Sequence, residues 1–447
     1  SQRQALSVPV QIHRPNGYPD SSNRFFDTGS SDMKKLLFIT PELPYPPQSG
    51  GKVKSLKLLH ALAEKYQVTL ACPLKMENAQ YVEDFYAISP CAHHLRQEVR
   101  ILRTPGNLIL SYLRGIPLKV HRTYNEQLQN NIAALASEQD VVFLDHYEVY
   151  PYLPTDYQGM AVYHAHNAYF KMWERYAQLP GNPVMRAVAY MESRRVKKYE
   201  TAVSNNTDLS FAAPNDALEL AKAGASKDKL HNTFHLGDDQ QLQLPELQYA
   251  HTEKKLMYVG FLGWEPNSQG LLWFIEKVWP KLVEGHPDLQ LDIVGKGPGQ
   301  RLQDAAAKWT GITLKGFVPD LQKIYNSSRV SVAPLMFGSG MKVKILDSMA
   351  RGMPTVTTSV GAEGIDVEHG THILIADEPA KMATYIDQLL NDLDLWLYLQ
   401  KNSRALITER YTWRQLFIQM HRTMESGLRD KMKAVSRQTE QGMQHGG

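Results

Sequence analysis

Two separate series of strand–loop–helix–strand alternation constrain this chain more than any other feature of its sequence. The first begins with the apolar run Leu36-Leu-Phe-Ile-Thr40, crosses a proline-rich loop closed by Gly50 and Gly51, and continues into apolar residues at helical spacing, Val53, Leu56, Leu59 and Leu62. Residues 68–72 return to a strand, which completes a βαβ unit. Further strands read at 140–145, 161–166 and 208–212, with one long helix over 169–205 between the last two. The second series starts afresh at 255–260 and runs through strands at 289–295, 312–316, 329–334, 354–358 and 371–376. Its helices are read at 269–279, ended by Pro280, at 298–309 and at 341–351. Such alternation implies parallel sheets covered on both faces, so the expected fold is α/β with two doubly wound Rossmann-like domains facing a cleft. A chain of 447 residues is also too long for one ordinary core.

The boundaries follow from breaks in that pattern. Residues 1–32, rich in Ser, Asn, Gly, Pro and Gln, hold no apolar run and read as a disordered arm, an upstream extension or an added segment. The first domain is expected over 33–240, and a Leu/Gln/Pro-rich stretch at 240–251 reads as the linker. The second domain is expected over 252–411, a closing helix over 412–428 packing back on the first domain, and a flexible tail over 429–447.

Composition narrows the chemistry by exclusion. A net charge of +3 gives no reason to expect nucleic acid as a partner. Two cysteines, Cys72 and Cys91, suit a reducing cytoplasm better than a disulfide framework. No stretch approaches the roughly 20 apolar residues that span a bilayer. The proline-rich turn lacks the Gly-x-Gly-x-x-Gly spacing of a dinucleotide fold, so no NAD and no other cofactor is expected. No His/Cys/Asp set shows metal-ligand spacing, and no metal is expected.

The most informative segment is Ala333-Pro-Leu-Met-Phe-Gly-Ser-Gly-Met-Lys-Val-Lys-Ile-Leu-Asp-Ser-Met-Ala-Arg-Gly-Met-Pro354. A buried strand ends, a loop with Gly338 and Gly340 follows, and a helix starts near Met341. Glycines allow close backbone approach, and the first amides of a helix are unpaired donors, which together suit a phosphate. Asp347 lies almost two turns beyond Gly340, on nearly the same face and ~10 Å along the axis, a depth suited to ribose hydroxyls. Lys342 and Lys344 stand where the helix dipole disfavours cations, and read either as partners of a bound diphosphate or as solvent-facing side chains.

This segment resembles the nucleotide-sugar signature of glycosyltransferase family 4, in which one glutamate contacts the donor sugar and a second binds the ribose. Here Ser339 and Asp347 stand in those places. A second likeness is Val259-Gly-Phe-Leu-Gly-Trp-Glu-Pro-Asn-Ser-Gln-Gly270, in a Trp-x-Pro-Asn version seen in a subset of bacterial sugar transferases. Gly263 lies in this turn, Phe261 and Gln269 occupy the usual places of a basic pair, and Trp264 and Asn267 read as a packed turn and a helix cap. Phe317 and Val318 match the strand end whose backbone receives the nucleobase, and Gly50 and Gly51 the turn that meets the donor phosphate. In Tyr163-His-Ala-His-Asn167, His166 matches the histidine of the catalytic cleft. His164, two residues away, projects to the same face, so either imidazole is a candidate; Asp145-His146 is a lesser one.

The resemblance implies a GT-B fold and a retaining, metal-independent transfer of sugar from a nucleotide-diphosphate donor to a saccharide or lipid-linked acceptor, in cell-surface glycan synthesis. Two alternatives stand beside it, a nucleotide-sugar epimerase of the same fold and a catalytically silent binding module. Five cations within 186–198, Arg186, Arg194, Arg195, Lys197 and Lys198, read either as a solvated helix face or as peripheral contact with the inner membrane.

Overall fold

The computed structural model describes residues 33–47, 50–99, 104–178, 182–234, 236–337 and 341–445. The chain divides into two units, one running to Thr233 and resuming at Phe417, the other spanning Phe234–Leu416. The expectations placed on residues 1–32, and on Gly338, Ser339 and Gly340, lie outside the described residues.

The first unit is built on seven strands, β1 (Lys35–Ile39), β2 (Gln67–Lys75), β3 (His93–Val99), β4 (Val141–Leu144), β5 (Met160–His164), β6 (Leu209–Ala212) and β7 (Leu230–Asn232). They pair in the order β3-β2-β1-β4-β5-β6-β7 and every pairing is parallel. The second unit holds β8 (Lys255–Val259), β9 (Gln290–Val294), β10 (Ile312–Gly316), β11 (Val330–Ala333), β12 (Thr355–Thr357) and β13 (Leu374–Ile375). Their order, β10-β9-β8-β11-β12-β13, is again parallel throughout. Central strands such as β4 and β11 are buried at every position, because helices cover both faces. In each sheet the chain crosses over once from one side to the other, between β1 and β4 and between β8 and β11. Loops diverge at such crossings, which leaves a crevice at the carboxyl ends of the strands.

Four expectations need correction. The single helix over 169–205 is two, Tyr169–Gln178 and Pro183–Asn206. The second starts because Pro183 suits a first turn and the Asn182 side chain accepts from the Val184 amide at 2.8 Å. The helix read at 269–279 begins earlier, at Glu265 with Pro266 in its first turn, and runs to Trp273. A π-helical stretch, Phe274–Val278, follows, and Pro280 opens the next helix, Trp279–Gly285, instead of ending the previous one.

The stretch read as a linker belongs to the second unit. Its carbonyls at Leu242, Pro245 and Leu247 accept from Arg404, Arg351 and Gln400 at 2.7, 2.8 and 2.9 Å. A segment pinned through its backbone carries no hydrophobic period, which is why it read as linker. Finally, the closing helix and the tail are one helix, Trp413–His445. From Phe417 onward it belongs to the first unit, where His421 lies 3.1 Å from the Ala61 carbonyl and Lys431 2.9 Å from Asp208.

In the second unit Trp396 is fully buried with Leu247, Met257, Tyr325 and Met353, and its indole donates to the Arg329 carbonyl at 2.8 Å. W396A removes the packing and orphans that carbonyl, and is expected to cost about 3–5 kcal/mol, whereas W396F loses mainly the hydrogen bond, about 1 kcal/mol. Urea unfolding of the three proteins measures both steps; equal losses for the two variants would contradict this view of the core.

Candidate functional site

At the crossing in the second sheet the structure places a half-buried lysine, Lys344, whose amine is turned into the protein. After β11 the chain loops back and enters the helix Val343–Arg351, closed by Gly352 in the left-handed conformation at φ 78°. The helix starts later than expected, so Lys342 is its N-cap, in extended backbone, and Lys344 lies in its first turn. Lys344 is not solvent-facing. Its Nζ donates to the Tyr258 hydroxyl at 2.7 Å and to Asn267 Oδ1 at 2.6 Å, at the carboxyl end of β8. Burial, with the charge of Lys342 beside it, lowers its pKa to about 7. Among the described residues no carboxylate pairs with it.

The surrounding residues are arranged for that amine. Asn267 is buried and spans the turn, accepting from Lys344 and donating through Nδ2 to the Phe261 carbonyl at 2.8 Å, so it is a bridge and not a helix cap. Trp264 occupies the N-cap position and is 41% exposed. A Cβ on Gly260 would stand 2.9 Å from Lys344 Nζ, which explains the glycine there. Gly263 lies against the Phe261 side chain. A Cβ on it would meet the Phe261 ring at 2.6 Å, so the glycine makes room for that ring. Gln269 is half-buried and bonded to Glu265 at 2.7 Å.

Two further expected residues share this end of the sheet. Phe317 and Val318 lie just past β10, the Phe317 ring exposed with Lys296 Nζ 4.3 Å from its centre. Met341 and Lys342 are both buried. Asp347 is half-buried and its Oδ1 accepts from the Asp238 amide at 2.7 Å. Burial raises its pKa to about 6 against the lowering effect of that bond. One oxygen of Asp347 therefore anchors backbone.

At the crossing in the first sheet stands a second polar cluster. The helix Gly50–Ala63 starts there with Gly50 and Gly51. Asp145, wholly buried at the end of β4, accepts from four donors on three other elements. His164 Nδ1 and His166 Nε2 lie 2.7 and 2.8 Å from Oδ1, Ser55 and Thr40 hydroxyls 2.5 and 3.3 Å from Oδ2. Burial alone would raise its pKa, but His166 and His164 hold it well below the usual carboxylate range. Because β5 ends at His164, His166 lies beyond the strand, and both imidazoles still converge on one oxygen. Both candidate imidazoles are thus held by the same carboxylate.

Lys54 is buried in the same place, its pKa lowered by burial to about 7 with Asp145 and Asp216 opposing, and its Nζ has no hydrogen bond among the described residues. Burial, aided by Lys54, takes His164 down to about 3. His146 follows at φ 132°, the only non-glycine residue with positive φ among those described, its Nδ1 2.9 Å from Glu148 Oε1. Such a backbone angle is sterically costly for a residue with a side chain. The ligand atoms of Asp145, His164 and His166 lie within 4.8 Å of one another, a geometry that can hold a metal ion. Their spacing gave no sign of it because they come from two strands. The Lys54 amine beside them opposes a divalent cation, and hydrogen bonds already satisfy the carboxylate. Sequence reasoning missed Lys54, which reads as an exposed helix position, and Tyr258, which reads as core.

Comparison with known proteins agrees with this architecture. Residues 253–392 match the family model Glycosyl transferases group 1. The chain is 24% identical over 405 residues to a 44.6 kDa protein in the cps region of Klebsiella pneumoniae, covering 86% of this chain and 98% of that one. Anabaena HepE, solved in complex with UDP, superposes with a TM-score of 0.60 at 14% identity over 88% of this chain and all (100%) of its own. WaaG, a glycosyltransferase involved in lipopolysaccharide biosynthesis, gives 0.57 at 14% identity over 85% and 97%. The second unit thus carries a glycosyl transferase group 1 domain, and the two parallel units have the GT-B fold.

The lowered pKa of Lys344 has a consequence for stability. Below about pH 7 the folded protein holds a buried ammonium, and the full penalty is present; as pH rises from about 7 to 10.5 the folded state is already neutral while the unfolded state is not, so stability increases. K344M lacks this term. Its melting temperature relative to the parent is expected to be highest at or below pH 7 and to fall steadily toward pH 10.5; a difference independent of pH would contradict the buried-amine assignment.

Proposed function

We propose that the chain is a retaining, metal-independent glycosyltransferase that moves a sugar from a nucleoside diphosphate onto a saccharide or lipid-linked acceptor in the synthesis of a cell-surface glycan. The observation that carries this reading is Lys344, a buried amine bonded only to neutral oxygens, beside Lys342 and a helix start, at the crossing of the second sheet. Two lysines at a helix start, with the Lys344 amine bonded to neutral oxygens, suit a diphosphate. Asp347 Oδ2 takes a ribose hydroxyl and the strand end at Phe317 and Val318 takes the base. HepE binds UDP, which makes uridine the first base to try. WaaG and the relative from a cps region support a surface glycan as product.

The chemistry asked of these groups is modest. The bond from the anomeric carbon to the diphosphate breaks with its electrons on phosphate oxygen, where Lys344, Lys342 and the helix amides offset the charge. The acceptor oxygen bonds to the same face of that carbon and passes its proton to the departing phosphate. Asp145, buried and bonded to four donors, is unsuited to be a nucleophile. The Asp145–His166 pair offers an imidazole to a sugar or acceptor hydroxyl.

D347N keeps an oxygen for the Asp238 amide and removes the charge. It is expected to weaken nucleoside diphosphate binding about tenfold or more, since one charge-assisted bond contributes ~1.5–3 kcal/mol. Calorimetry that finds unchanged affinity would remove Asp347 from the ribose site. Turnover is expected to persist in excess EDTA; loss restored by manganese or magnesium would overturn the metal-free mechanism.

A lipid-linked acceptor fits the surface of the helix Pro183–Asn206. Arg195 is spent internally, 2.7 Å from Glu192 and from the Ser111 carbonyl, but Arg186, Arg194 and Lys198 are exposed. Val184, Met185, Tyr190 and Met191 are exposed beside them. No described helix is long and apolar enough to cross a membrane. Cations near an anionic surface contribute ~1 kcal/mol each, so sedimentation with anionic vesicles is expected at low salt and to be lost at high salt; no binding at low salt would refute peripheral attachment.

A further inference from the structure

We propose that Asp145 is a positioning residue that fixes the tautomer and orientation of His166, turning the Nδ1 of that imidazole toward the start of the helix Gly50–Ala63. The inference deepens the functional reading above and rests on it only for the consequence to turnover.

The geometry assigns the protons. Asp145 is wholly buried, and its ionised carboxylate can only accept. Oδ1 lies 2.7 Å from His164 Nδ1 and 2.8 Å from His166 Nε2, so each of these nitrogens carries hydrogen. Oδ2 accepts from Ser55 Oγ at 2.5 Å and Thr40 Oγ1 at 3.3 Å. With both oxygens held from β1, β5 and the first helix, the carboxylate cannot turn, and the imidazole bonded to it is oriented in turn. In neutral His166 the lone pair then resides on Nδ1. That atom lies 3.5 Å from the place a Cβ on Gly51 would occupy, so this nitrogen faces Gly51 in the first turn of the helix. A hydrogen bond at one ring nitrogen sets which state the other presents.

The neighbouring charged groups are compatible with this state. His164, bonded through Nδ1, has its Nε2 buried without a hydrogen bond among the described residues, and burial, with the charge of Lys54, keeps it neutral. Lys54 and Asp216 interact across the same interior. His146, whose ring centre is 5.5 Å from that of His166, is paired with Glu148 and lies outside the Asp145 set. The cluster therefore holds one imidazole inward, His164, and orients the other.

The test uses full-length protein labelled with 15N-histidine, His166 being assigned with H166Q. In the parent, His166 is expected as the single Nε2–H tautomer. D145N, which weakens the acceptor, is expected to show a mixture of tautomers, and S55A, which removes one Oδ2 donor and leaves the carboxylate, an intermediate or parental pattern. Thermal unfolding confirms that each variant is folded. In transfer assays D145N is expected to lower kcat about 10–100-fold with donor KM within about twofold, and D145N/H166A to be no slower than H166A. Unchanged tautomer in folded D145N overturns the proposal whether or not transfer is detected. Additive losses in D145N/H166A overturn it as well. A correct tautomer pattern with no sugar transfer would instead reject the functional reading and leave the positioning role standing.

Discussion

An amine removed from water and given no counter-charge is the constraint on which the second unit depends. Lys344 is surrounded by the Tyr258 hydroxyl, the Asn267 amide oxygen and a neighbouring lysine. Each of these choices has a structural counterpart. Gly260 leaves space for the ammonium, Asn267 is braced by the Phe261 carbonyl, and the turn after β8 is shaped around both. The backbone also closes in from the side, since a Cβ on Gly295 would stand 1.8 Å from the Gly260 carbonyl. A fold seeking stability alone would place methionine at Lys344, because two hydrogen bonds to neutral oxygens return less than the desolvation of a charge costs. The arrangement makes sense when an anion completes it.

The two units use the same topology to opposite electrostatic ends. In the second, the crossing between β8 and β11 gathers cations and a helix start. In the first, the crossing between β1 and β4 gathers a carboxylate that organises two imidazoles and lies beside a lysine. Parallel sheets leave a crevice wherever neighbouring loops diverge, and what fills it is decided by the few residues just beyond the strand ends. Here those residues are Asp145, His166, Gly260 and Phe317, each at or immediately after the last residues of a strand. Chemistry is therefore concentrated in a small fraction of the chain, and the remainder supplies parallel sheets whose central strands are buried.

Much of this was legible in the sequence, for identifiable reasons. Buried parallel strands are short continuous apolar runs, so β1, β4, β8, β9 and β11 could be located within a residue or two. Helix limits were harder. Pro280 reads as a stop, yet proline also suits a first turn, and the π-helical stretch before it lets the chain begin again. Lys342 and Lys344 were legible as an unfavourable repetition at a helix start, but their partners were not, because Tyr258 and Asn267 are 86 and 77 positions away from Lys344. Asp145 was readable as a strand-end residue; that two histidines share one of its oxygens depends on the register of β4 with β5, where Leu144 pairs with Tyr163. The closeness of Gly263 to the Phe261 ring is a contact between near neighbours that no motif describes.

The central claim is that Lys344 is completed by the anion of a nucleoside diphosphate, and proton linkage tests it most directly. Above about pH 7 the free protein holds this amine largely neutral, and an arriving diphosphate would favour its protonated form. Titration with UDP, GDP and ADP at pH 8 in buffers of different ionisation enthalpy measures the protons exchanged. The account predicts net proton uptake with the diphosphate that binds, abolished in K344M along with most of the affinity. Binding with no dependence on buffer, or the same uptake in K344M, would contradict it.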